Sequence, residues 1–377
     1  MKEFPGPTLI QQVGTQYILW FENSNQYIVI AKSLYKLIEA FLASENDSQF
    51  VETASELGYD SKSANQFHTE IGQFLEDCNK KPEKDLVNVT SFSRTNRNLS
   101  HYYQIDDKTI AVHYGSEALR SLVHPQLEHI ETTENKEYLH CTFDILAQEN
   151  ILSLFKDEKI IRSWKSKDYH LLQGKFAMYL LCALHENEEL DWMGTFHAST
   201  VAKDNKSIMI IGDSGKGKST FTALLLSYGF EIVADDLTPV LAKDCKIYPY
   251  PGGISIKAGS FDLLKNSLSN FDKLNEHYIN PYKGYVKYIG SPKPKGYLHG
   301  YPCKTMVRIQ YTKGAETSLQ PISISEALGT LIPESWLAAD RYNAQQFLNW
   351  IKDFNFYELS YSDNQEAIDL FSKLIIE

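Results

Sequence analysis

Thirty residues, SIMIIGDSGKGKSTFTALLLSYGFEIVADD from Ser207 to Asp236, constrain the fold of this chain more than any other stretch. SIMII reads as a buried strand, TFTALLLSY as a helix, and Gly229 as the residue that stops that helix. FEIVA then reads as a second strand. Strand, glycine loop, helix and strand in that order require an α/β layer with the helix laid across a sheet. The expectation is an α/β core spanning about 195–377.

The loop has a chemistry of its own. Gly212, Asp213, Ser214, Gly215, Lys216, Gly217, Lys218 and Ser219 match GxxxxGK[ST], and Thr220 follows. Glycines let successive backbone N–H groups turn toward phosphate oxygens, and the helix N-terminus adds partial positive charge. Lys218 is expected to reach the β- and γ-phosphates of ATP, and the Ser219 hydroxyl to ligate Mg²⁺. Residues 212–220 are therefore the candidate nucleotide contacts.

Asp235 and Asp236 end the second strand, where ligands bind in open α/β sheets. Adjacent strand-end carboxylates point in different directions. One can face a metal while the other takes the proton from an attacking hydroxyl. A solvated turn is the plain alternative, since Asp is common there.

This combination resembles bacterial HPr kinase/phosphorylases and their HPr-kinase-related relatives, whose core is the PEP-carboxykinase-type P-loop fold. The 17 residues from Lys218 to Asp235 match the family spacing, as does His197 in TFHAST, 15 residues before Gly212. The resemblance implies Asp235 as general base, Asp236 and Ser219 at the metal, and His197 close to the metal and the acceptor. It also implies ATP and Mg²⁺ as cofactors, a protein serine as acceptor, and homo-oligomers. At YPYPGGISIKAGSF, 248–261, the acidic-arginine-glycine signature linked to phosphorolysis is missing, which favours kinase over phosphorylase activity. Lys257 in that stretch is a candidate contact for phosphate or acceptor; a surface lysine is the alternative.

Upstream, YILWFENSNQYIVI (17–30) reads as two strands around a polar turn. Leu34, Leu37, Ile38, Phe41 and Leu42 then form a helical stripe, and two more helices follow from 50 to 78. This winged-helix-like order, over 1–82, is similar to PqqD-like peptide-recognition domains of ribosomal peptide biosynthesis. That implies a leader segment bound by residues 10–78, with Tyr27–Ile30 as the receiving strand edge. DNA binding by this module is disfavoured: residues 1–78 hold four Lys, no Arg and eleven Asp/Glu, a net of −7. NKKPEKD, 79–85, is the expected linker to a kinase unit at 86–377, whose first part reads as β-rich.

The whole chain carries a net charge of −11, which argues against general nucleic-acid or membrane-surface binding. Five cysteines with no CxxC, no apolar signal core and no long apolar run point to a cytoplasmic protein with free thiols. A basic, tyrosine-rich stretch at 281–304 (Lys283, Lys287, Lys293, Lys295, Lys304) reads as a loop able to clamp ATP or an acidic segment. The reading is an ATP- and Mg²⁺-dependent kinase for a Ser or Thr hydroxyl of a peptide or small protein, such as a ribosomally made precursor. A small-metabolite kinase and a non-catalytic nucleotide-binding regulator are the competing readings.

Overall fold

The computed structural model describes residues 5–81, 92–133, 138–281, 283–291 and 297–376. The chain is mixed α/β, with ten α-helices and five sheets among these residues. No described helix is long and apolar enough to cross a membrane.

The central sheet has six strands, in the order Glu231–Ala234, Ser199–Lys203, Lys206–Ile211, Cys303–Tyr311, Asn355–Tyr361, Ser318–Pro321. Cys303–Tyr311 runs parallel to both its neighbours, and the other pairings are antiparallel. Both faces are covered, which explains why Ile208, Met209, Ile210 and Ile211 form an unbroken apolar run. Ile208 and Ile210 pack with Phe221 of helix Lys218–Ser227 and Phe371 of helix Asn364–Ile376. Met209 and Ile211 face the opposite layer, with Leu328 of helix Ile324–Leu331 and Phe347 of helix Arg341–Ile351. The expected strand–loop–helix–strand order is present. The returning strand Glu231–Ala234 lies one place further out, with Ser199–Lys203 between it and the loop strand.

A second six-stranded sheet, from Leu99 to Lys165, packs against helices Glu117–Leu127 and Tyr169–His185. Its strands include Leu99–Ile105, Lys108–Tyr114, Leu139–Gln148, Ile151–Lys156 and Lys159–Lys165, in the part of the chain that reads as β-rich. The helix Glu117–Leu127 contains Pro125 in its last turn and starts at a Ser116 cap, whose hydroxyl accepts from the Leu119 N–H at 3.3 Å.

The N-terminal sheet has three strands, not two: Leu9–Val13, Gln16–Phe21 and Gln26–Ala31. Helices Lys32–Ala43, Asp47–Glu56 and Ser61–Cys78 cover one face. In the first helix Leu37, Ile38 and Phe41 are buried, while Leu34 and Leu42 are exposed, so the apolar stripe is narrower than its sequence suggested. The other face packs on the C-terminal layer: Ile18 and Trp20 are fully buried there, and Tyr27 meets Phe347 edge-on at 5.0 Å. Of the expected linker only Asn79–Lys81 falls within the described residues. All five cysteines are free, and only Cys245 is partly accessible.

The stretch 281–304 is not one loop. Gly284–Ile289 is the middle strand of a three-stranded sheet, between Ile254–Lys257 and His277–Asn280. Lys287 in it is buried, with its ammonium 5.3 Å from the Phe271 ring and 3.7 Å from Glu276. It therefore cannot clamp a ligand from solvent. Lys293 and Lys295 lie outside the described residues; Lys283 and Lys304 are exposed.

Candidate active site

The site is built where the chain changes sheets twice. Strand Trp192–Phe196 belongs to a small four-stranded sheet; two residues later Ser199–Lys203 joins the central sheet. Glu231–Ala234 makes the reverse crossing into Thr238–Leu241. The two crossings are neighbours, with Phe196 paired to Thr238 and Thr200 to Ala234. His197 therefore faces Asp235 and Asp236 across one corner. Thr238 holds it closed, its hydroxyl donating to the Ala198 carbonyl at 2.9 Å and lying 3.1 Å from that of Thr200. His197 sits in the bend itself, between the strands Trp192–Phe196 and Ser199–Lys203.

The two aspartates do point apart. Asp235 is 3% exposed. Its Oδ1 accepts from the Ser199 hydroxyl, and its Oδ2 accepts from the Ser255 N–H at 3.2 Å. Asp236 adopts the left-handed backbone (φ 60°), uncommon for a residue with a Cβ, and turns its carboxylate outward. Its Oδ1 lies 4.0 Å from His197 Nε2. Burial, and then Asp236 beside it, pushes the Asp235 carboxyl up to about 6; Ser199, Lys218 and the Ser255 N–H pull the other way. Burial, and then the charge of Lys218, holds the His197 imidazole below its ordinary value, against the pull of Asp236 and Glu334. Its neutral form is thus the resting one at pH 7.

The glycine loop enters the same corner. Gly215 (φ 85°) and Gly217 (φ 93°) take the left-handed turns that a Cβ would strain. A Cβ on Gly212 would stand 3.0 Å from the Ile309 carbonyl. Asp213, Ser214 and Gly215 are exposed; Lys216 and Ser219 are half-buried; the Thr220 hydroxyl is 2.8 Å from that of Ser260. Lys218 opens the helix, is 6% exposed, and has no ion pair among the described residues. A buried ammonium without a carboxylate in contact is costly unless an anion joins it. Together with the inward-turned loop and the helix N-terminus, it fits a nucleotide phosphate. Ser219, Asp236 and Asp235 are oxygen donors of the kind Mg²⁺ takes.

Four partners were not anticipated. Glu334 Oε2 lies 3.3 Å from His197 Nε2. Its neighbour Ser335 accepts the His197 N–H at 3.1 Å and donates to the Leu331 carbonyl at 2.6 Å, fixing the turn that presents Glu334. Ser199 and Ser255 hold Asp235. Ser199 shares its strand with a second hydroxyl, Thr200, so its pattern does not single it out; Glu334, 137 residues from His197, leaves no local signal. Lys257 is exposed at the end of its strand, and no bond joins it to the corner. Lys283, not singled out for this role, is close enough for its charge to act on His197.

No protein-family profile and no curated protein matches this chain. Among solved structures, the Hpr(Ser) kinase/phosphatase from Coxiella burnetii is a neighbour over 48% of this chain and 93% of its own, at 14% identity and a TM-score of 0.23. A superposition at that score does not define a shared fold.

Proposed function

We propose that the protein is an ATP- and Mg²⁺-dependent kinase acting on a Ser or Thr hydroxyl of a peptide or small protein. The observation that carries this is the corner itself: a buried lysine of a glycine loop, a buried aspartate raised toward neutrality and an outward aspartate beside a neutral histidine. Binding of nucleotide alone needs the loop and Lys218. It does not need a second carboxylate poised near pH 7, whereas proton abstraction does.

In this reading the loop N–H groups and Lys218 hold the β- and γ-phosphates, and Ser219 and Asp236 face the metal. Mg²⁺, when bound, neutralises charge on the phosphate oxygens. Asp235 takes the proton of the acceptor hydroxyl as its oxygen bonds to the γ-phosphorus and the bond to the β-phosphate oxygen breaks. Ser199 and Ser255 keep that carboxylate aimed. His197, held by Ser335 and Glu334, orients Asp236 and the acceptor side. Because Asp235 must be ionised, kcat/KM should fall with unit slope below about pH 6.

A peptide acceptor is supported by the N-terminal sheet, whose strand Gln26–Ala31 lies at the sheet edge beside the exposed Leu34. Removing that module would not test this cleanly. It would uncover the apolar C-terminal layer, Phe347 included, on which Ile18, Trp20 and Tyr27 pack. Leu34→Glu is the better probe, and should raise KM for a peptide acceptor with KM for ATP unchanged. An unchanged peptide KM would remove the recognition role.

The decisive assay offers γ-labelled ATP and Ser- and Thr-containing peptide arrays to the full chain. Label on a hydroxyl, absent with Asp235→Asn, is expected. Label appearing only on small molecules would favour the metabolite kinase. Binding with no transfer to any acceptor would favour the regulator.

A further inference from the structure

Away from the corner, the second six-stranded sheet carries a group of side chains that the kinase reading does not use. His101 comes from strand Leu99–Ile105, His124 from helix Glu117–Leu127, and Glu131 from the short strand Glu131–Thr132. Each offers one ligand atom, and the three atoms lie within 4.8 Å of one another. Among the described residues no other trio of His, Cys, Asp and Glu comes this close. We propose that His101, His124 and Glu131 bind a zinc ion.

The fold brings them together for definite reasons. Glu131 is paired in register with Tyr103, two residues along from His101. His101 and Tyr103 therefore point to one face of their strand, and the helix carrying His124 lies over it. The imidazoles of His101 and His124 sit 4.4 Å apart, tilted by 42°. His101 Nδ1 is 2.5 Å from Glu131 Oε1. His124 is only 2% exposed, and its Nδ1 is 2.9 Å from the Tyr103 hydroxyl, itself 3.1 Å from that of Tyr114. With Nδ1–H donating to Tyr103, and Tyr103 donating to Tyr114, Nε2 keeps its lone pair. A ligating histidine held through its other nitrogen is the usual outer-shell arrangement of a metal site.

The donor set fits the ion. Two imidazoles and one carboxylate suit zinc, with water in the fourth position. Tetrahedral bonds of about 2.0 Å put donors about 3.3 Å apart, so the three atoms, within 4.8 Å of one another, must draw in around the ion. The competing charges are engaged elsewhere. Arg120, whose charge acts on His124, pairs with Glu117 at 2.6 Å, and Glu128 pairs with His277 at 2.9 Å. Glu131 faces solvent and provides the way in. The ion fastens the helix to two strands at the sheet edge.

The test uses the full chain stripped with chelator and dialysed against Zn²⁺ alone, with Co²⁺ as a spectroscopic substitute. One zinc per chain is expected in the wild type and equally in Asp236→Asn, with a higher thermal midpoint when loaded. Glu131→Gln and His101→Gln should each weaken binding at least tenfold, and Tyr103→Phe by about tenfold. Glu131 is exposed, so its variant reports on ligation even if buried substitutions unfold the protein. Absence of stoichiometric zinc would overturn the site. So would unchanged affinity in both Glu131→Gln and His101→Gln, or loss of zinc with Asp236→Asn, which would move the ion to the corner.

Discussion

At the corner, His197, Asp235 and Asp236 come from two segments that are sheet neighbours on both sides of the bend, so the backbone ladder alone sets their meeting. At the cluster, a helix must be docked before His124 can approach His101 and Glu131. The corner keeps one carboxylate buried and one outward, beside a lysine; the cluster has its two imidazoles tilted against each other and its carboxylate at the rim. On the proposed reading the first takes a charged ligand that arrives and leaves, and the second clips secondary structure together. Polar side chains brought together in a fold are thus read best by asking what holds the backbone beneath them.

That difference can be broken apart experimentally. The largest effect is expected from Lys218→Ala, which should weaken ATP binding about 100-fold, or ~2.7 kcal/mol, and leave zinc affinity untouched. Isothermal titration with each ligand checks it; equal ATP affinity would remove the phosphate role of the loop. The next concerns pH. Asp235 is raised from 3.8 to about 6, so the folded chain holds a proton that the unfolded chain releases between about pH 4 and 6. Stability not tied to ligand should therefore fall across that window and stay lower above it, by up to about 3 kcal/mol. Asp235→Asn should flatten the slope in urea unfolding at pH 4 and pH 7. A wild-type slope in the variant would mean that the carboxyl titrates normally.

Smaller effects sharpen the comparison. Glu334→Gln should lower kcat/KM by about three- to tenfold, discounted because the glutamate is largely exposed. It should also move the His197 titration further down, since Glu334 favours the imidazolium. An NMR titration of that ring unchanged by the substitution would detach Glu334 from the site. Smallest is Asn25→Gly, which keeps the left-handed backbone (φ 56°) but removes the bonds to Trp20 Nε1 and the Leu337 carbonyl, each 2.9 Å. Global stability should fall by about 1–2 kcal/mol with ATP and zinc binding unmoved. A change in either would show that the N-terminal sheet is coupled to the two regions.

The sequence made the corner legible because its parts are short-range. Loop, helix and aspartates lie within one strand–helix–strand unit, and residue types with special backbone needs, glycine above all, mark it. His197 came from spacing in a family resemblance. What escaped is non-local or locally ambiguous. Glu334 arrives through a turn set by Ser335. The helix Glu117–Leu127 carries Pro125, a residue type that breaks helix interiors, and the helix ends only two residues beyond it. Leu9–Val13 alternates weakly and is a strand only because Gln16–Phe21 pairs with it. Lys287 looked like part of a basic loop, and packing between Phe261 and Phe271 buries it. Pattern and propensity see periodicity; they do not see which layer covers which face.

The central claim is that the buried aspartate of the corner is a base, and one paired measurement addresses it. Mg²⁺-ATP affinity and single-turnover phosphoryl transfer to a Ser- or Thr-containing acceptor are compared in wild type and Asp235→Asn. The account predicts unchanged nucleotide affinity and a transfer rate lower by about 10²–10⁴-fold. Transfer at the wild-type rate in Asp235→Asn would contradict it.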